Sequence, residues 1–229
     1  MGTPTATTIT TMTDTSLIHL MTLLSPVFPV GGFAYSAGLE TACSGASAVI
    51  KSKDDLKGWI ETSLTMGWLR NDAILLAAAM RDDADIDAVN DLALALTGSS
   101  ERYEETVNLG NAFAKAAQPW LQDSDLPLPQ PCAYCVAVGA VAAHMQLEAD
   151  QVLHAFLQAA ISNQLQAALR LMSLGQQAAV ALQHELEGAL LAASASAARS
   201  SLDDLGSFAL TTDMAAMNHE TMTSRIFRS

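Results

Sequence analysis

Between Glu101 and Leu121 a small or apolar residue returns every three or four positions: Tyr103, Val107, Gly110, Ala114, Ala117 and Leu121. That spacing lines one face of a helix and cannot serve a half-buried strand, whose period is two. A second stripe of the same kind, Val152, Phe156, Ala160, Leu165, Leu169 and Met172, runs through 150–172. Alternating β-branched runs are nowhere evident, and no internal repeat stands out. Half of the 229 residues are apolar while aromatics make up only 5%. Alanine fills the difference, which suits closely packed helices better than a β-sandwich. The expectation is an all-α fold, a single-domain bundle of roughly eight to ten helices.

The punctuation along the chain divides it further. Residues 1–13 read as a disordered lead-in. Asp14, Thr15 or Ser16 can cap a short helix that Pro26 stops, and a second helix begins after Gly32 and runs to about Cys43. Residues 54–80 suit one long or broken helix with Leu56, Trp59, Ile60 and Leu64 inward, and Val89–Leu96 ends at Gly98. The segment DSDLPLPQP, 123–131, is the best loop in the chain. Apolar stretches at 132–146 and 150–172 follow, then a long helix over about 177–197. This gives a lead-in at 1–13, a helical domain at 14–210 and a C-terminal tail at 211–229.

Charge narrows the function. A net charge of −13 argues against nucleic acid and anionic membranes, which call for clustered Lys and Arg. Asp82, Asp83, Asp85, Asp87 and Asp91 read as a solvated face. Residues 15–39 carry no formal charge, but Pro26, Pro29, Gly31 and Gly32 break them as a membrane span. The first twenty residues hold no Lys or Arg, so a secretory leader is not expected. Three cysteines then read as reduced thiols, and the chain as soluble and cytoplasmic.

The stretch SPVFPVGGFAYSAGLE, 25–40, invites three chemical readings. A phosphate loop needs a lysine that is absent, and a dinucleotide fingerprint needs a strand where two prolines stand. Ala34-Tyr35-Ser36-Ala37-Gly38 is a variant of the serine elbow, with Asp203 and His219 following in the order of a hydrolase triad. A serine hydrolase with Ser36 is therefore an alternative, although PVFPVGG is a poor strand. A metal-binding helical protein using Cys132 and Cys135, with His144 downstream, is another. Zinc in a structural site wants four ligands, and cysteines in an apolar setting pack as small hydrophobes. Arg170 is the only formally charged residue between Asp150 and Glu185, so it either forms an internal ion pair or faces a partner. The tail carries Met214, Met217 and Met222 with Ile226 and Phe227, an adaptable apolar surface for another chain or for its own core.

SPVFPVGGFAYSAGLE, ERYEET at 101–106, RLMSLGQQ at 170–177 and DDLGSFA with DMAAMNHETMTSRIFRS at the end together resemble the urease accessory protein UreF family, in the expected order through most of the chain. Ala37 stands where that family usually has His or Gln, and Asn218 where it usually has Arg. The resemblance implies a helical, UreF-like helper rather than an enzyme. Such a helper tends to dimerise and joins UreD (UreH in some systems) and the small GTPase UreG on the urease apoprotein during GTP-dependent nickel insertion. It implies no cofactor and no metal ligands of the chain's own. Matching motif positions make Tyr35, Ser36, Gly38, Arg170, Gln176, Met217, His219, Arg225 and Phe227 candidate partner contacts. In this reading the Pro/Gly turn carries Tyr35 at its crest, preset for recognition.

Overall fold

The computed structural model describes residues 14–45, 48–121 and 126–229. The expected lead-in, 1–13, lies outside the described residues, as does 122–125 of the proline-rich loop. Among the described residues there is no strand. Eleven α-helices follow in order: α1 Asp14–Leu23, α2 Leu39–Cys43, α3 Lys53–Met66, α4 Trp68–Ala79, α5 Ile86–Ala95, α6 Ser100–Ala116, α7 Tyr134–His144, α8 Ala149–Leu171, α9 Gln176–Glu185, α10 Glu187–Arg199 and α11 Leu210–His219. Short 3-10 turns occupy Gly32–Ala34, Gln118–Trp120 and Leu202–Asp204. The all-α class holds, with more pieces than the sequence alone suggests. The stretch 54–80 breaks at Gly67, and 177–197 breaks at Leu186, a fully buried residue whose N–H bonds back to Leu182 and His184.

Local chemistry explains where several helices begin. Ser52 and Asp55 form a reciprocal capping box on α3, and Ser99 accepts from the Arg102 N–H at the start of α6. Asp85 caps α5 by accepting from the Ala88 N–H, with Asp87 in the first turn. Part of the acidic run thus serves a helix N-terminus, where negative charge is favoured.

Helices α4 and α7 form the centre. Leu69, Ile74, Leu75 and Leu76 of α4 and Cys135–Ala142 of α7 are all buried. Helix α7 packs between α4 and α6, while α8 and α10 close the other side of α4. Gly110 lets α6 reach α7: a Cβ there would sit 2.1 Å from the Cys132 carbonyl oxygen. The stripe read for α6 is offset at its beginning. Tyr103 is exposed and Val107 half-buried, while Glu101, Glu105, Leu109 and Phe113 face inward.

No described helix is long and apolar enough to cross a membrane. The segment 211–229, expected to dock on another chain, lies here against its own helices. Helix α11 packs on α2 and α6 and buries Ala215, Ala216 and His219.

Candidate functional site

The quoted end segments meet in one seam. Gly38 makes the approach possible: its φ is +82°, and a Cβ on it would lie 2.8 Å from the Ala216 nitrogen. Helix α2 therefore starts directly on α11, and the loop before it lies beside the strap 220–229.

Glu40 is the hub. It is 3% exposed, and its carboxylate accepts from the Ile226 N–H at 2.7 Å and the Phe227 N–H at 2.9 Å. His219, fully buried, places Nε2 3.1 Å from Glu40 and Nδ1 2.6 Å from Glu101. Arg225 pairs with the other oxygen of Glu101. Burial pushes the Glu40 carboxyl upward, but the two backbone N–H donors and His219 outweigh it and hold the group below its usual range. Helix α6 is fastened to the strap as well: Glu220 accepts from both the N–H and the hydroxyl of Ser100 at 2.8 Å.

A second set of bonds ties Ser36 to Ser229. The Ser36 N–H donates to the Ser229 carbonyl at 2.9 Å, and the Ser36 hydroxyl donates to the same oxygen. Ser229 in turn donates its hydroxyl to Glu105 at 2.7 Å. Gln164 of α8 donates to the Ser36 carbonyl and accepts from the Trp59 indole, so the loop is anchored in the middle of the bundle.

These contacts correct three readings. Tyr35 is not at the crest of a turn: it is 5% exposed, and its hydroxyl accepts from Asn108 at 3.2 Å. The serine triad does not assemble. The Ser36 hydroxyl is buried and bound to a carbonyl, His219 is held by two glutamates, and Asp203 lies exposed in the Leu202–Asp204 turn. Cys132 and Cys135 are buried thiols. Burial pushes Cys132 up to about 11 and raises Cys135 well above its usual range, as befits thiols packed in the core. Among the described residues no three His, Cys, Asp or Glu side chains converge to hold a metal ion.

The nine candidate residues thus separate into two groups. Tyr35, Ser36, Gly38, His219 and Phe227 are interior and hold the seam together. Arg170, Gln176, Met217 and Arg225 remain exposed. Arg170 sits 4.2 Å above the Phe227 ring and donates to the Phe33 carbonyl at 3.3 Å, whereas Gln176 opens α9 away from these contacts. Glu40, Glu101, Glu105 and Ser229 are the residues that sequence reasoning missed. Glu40 and the two α6 glutamates lay within the quoted motifs, and the i, i+4 spacing of Glu101 and Glu105 could have marked an inward acidic pair.

Beneath the Pro/Gly loop is a cavity of about 420 Å³, bounded by Val30, Phe33, Trp68, Arg102, Tyr134 and Phe156 among others. In its wall Arg102 stacks 4.2 Å from the Trp68 ring and pairs with Glu105 at 2.7 Å and Asp72 at 3.6 Å. Burial pushes the Asp72 carboxyl up to about 6; Arg102 opposes the shift and Glu105 adds to it.

A family model described as UreF matches residues 50–187. The chain is 46% identical over 217 residues to the urease accessory protein UreF of Mesorhizobium japonicum, across 93% of this chain and 96% of the relative. It is 44% identical over 221 residues to that of Allorhizobium ampelinum and 45% identical over 217 residues to that of Agrobacterium fabrum, with the same coverage. The chain belongs to the UreF family of urease accessory proteins.

Proposed function

We propose that this chain is a non-catalytic adaptor in the cytoplasm. It bridges UreD (UreH in some systems) and the GTPase UreG on the urease apoprotein, with nickel as the cargo of the assembly and two copies of the chain in the complex. The observation that carries the reading is the similarity to proteins named urease accessory protein UreF at 44–46% identity, over 93% of this chain. The interior chemistry supports a recognition role over a catalytic one. The Ser36 hydroxyl is spent on a carbonyl, and the buried polar groups of Glu40, Glu101 and His219 are bonded to one another.

The test is co-expression with the host's UreD, UreG and urease subunits. The wild-type chain is expected to co-purify with UreD and UreG. Met217→Asp, on the exposed side of α11, is expected to reduce recovery without loss of helicity. A soluble wild-type chain that retains no accessory partner overturns the proposal. An esterase activity abolished by Ser36→Ala would overturn it too.

A further inference from the structure

The cavity beneath the Pro/Gly loop is lined by polar groups whose bonding is incomplete. Helices α4 and α6 bring Asp72, Arg102 and Glu105 to it, while the loop, α7 and α8 add Phe33, Tyr134 and Phe156. Both oxygens of Glu105 are bonded, one to Arg102 at 2.7 Å and the other to the Ser229 hydroxyl at 2.7 Å. Asp72 is less well served. Its one partner among the described residues is Arg102 at 3.6 Å, too long for a hydrogen bond. The Tyr134 backbone N–H donates to Thr106, but its hydroxyl bonds no described residue. The Trp68 indole N–H in the same wall is buried and has no partner among them either. Arg102 is the one cation facing two carboxylates, so an ionised Asp72 leaves the cavity with an excess of one negative charge.

We infer that this cavity binds a small organic cation, with an ammonium or amidinium group on the Asp72 carboxylate and an apolar body against Phe33, Tyr134 and Phe156. The inference stands apart from the adaptor reading. A volume of about 420 Å³ with mostly apolar walls and a few convergent polar groups is what small-molecule sites offer. A cationic donor gives Asp72 the charge-assisted bond it lacks, and the Tyr134 and Phe156 rings, 5.7 Å apart, favour positive charge over negative. An anion would meet Asp72 and Glu105, with Arg102 already committed to them. A bare divalent ion fits less well. It needs several oxygen ligands, and among the described residues no three His, Cys, Asp or Glu side chains converge to hold one.

The deciding experiment titrates the full-length chain with three probes of one shape and different charge: benzamidine, benzamide and benzoate. The titrations are run by NMR at about pH 8, where Asp72 is ionised and benzamidine is a cation. The Trp68 indole N–H resonance locates the binding. Benzamidine should shift that resonance and bind about tenfold more tightly than benzamide, with benzoate the weakest of the three. Asp72→Asn keeps the shape of the site and leaves the Arg102–Glu105 pair in place. In that variant benzamidine should fall to within about twofold of benzamide, while benzamide itself changes little. The charge series on the wild-type chain decides the question even if the variant folds poorly. Equal affinities for the three probes would overturn the proposal and leave an apolar void. Preference for benzoate would overturn it too, since Arg102 would then set the sign of the site. No shift of the Trp68 resonance by any probe up to ~10 mM would mean that the cavity does not take ligands of this class.

Discussion

Glu40 shows how one buried carboxylate can organise two distant segments. Its charge is compensated by donors that all come from 219–227, so the strap cannot leave without stranding it. His219→Ala removes the imidazole that bridges Glu40 and Glu101, and leaving a buried acceptor without its partner costs about 1–3 kcal/mol. The expected outcome is a lower denaturation midpoint and fast amide exchange at Ile226 and Phe227; unchanged exchange would show that the strap is held by other means. The pH dependence of Glu40 follows from its lowered pKa. Its contribution is present above the unfolded value and is lost as pH falls through the folded one. Asp72 runs the other way. With a folded value of about 6 against 3.8, the folded state holds this proton more tightly, so stability declines as pH rises between those values. Above that window the penalty is ~3 kcal/mol by linkage. Asp72→Asn is expected to raise the melting temperature at pH 8 and to change it little at pH 4, since Glu105 still pairs Arg102. A gain of equal size at both pH values would show that the proton is not the cause. None of this was legible in the sequence, because the charge state of a carboxylate depends on neighbours far away along the chain.

At the scale of elements the sequence was a good guide to where helices lie and a poor one to where they break. Ser52, Asp85 and Ser99 announce helix starts through their own side chains, which is local chemistry. The break at Leu186 has no local cause of that kind. It follows from turning α10 onto α4 and α8 while Leu186 stays in the core. The offset stripe of α6 has a similar origin: Glu101 and Glu105 face inward because the strap supplies their partners. Close helix contacts make a sharper prediction. Gly110→Ala would drive a methyl group into the Cys132 carbonyl, and overpacking of this sort costs roughly 3 kcal/mol. Gly58→Ala, in open space on α3, should instead stabilise by about 0.5–1 kcal/mol. Urea denaturation of the two variants checks the pair, and equal effects would mean that α6 and α7 are not in contact at Gly110.

At the scale of the whole molecule, the strap closes the fold by joining 25–40 to 219–229 across the bundle. A chain ending at Leu210 is therefore expected to lose more than a tail. Glu40 and Glu101 would lose their donors and Ser36 its acceptor, and the faces of α2 and α6 that α11 covers would be opened to water. Calorimetry should show a markedly lower melting temperature for that truncation. A value equal to wild type would mean that 211–229 contributes no stability. For this reason point substitutions at exposed positions report on partners more cleanly than truncation does. The sequence by itself determined the helical class, most helix positions and the family resemblance. These rest on periodicity, caps and motif spacing, which are properties of neighbouring residues. Only the tertiary structure decided that Tyr35, Ser36 and His219 are interior and that Glu40, Glu101 and Glu105 all bond the segment 219–229. Pairing between residues more than a hundred positions apart is set by packing, and no local spacing encodes it.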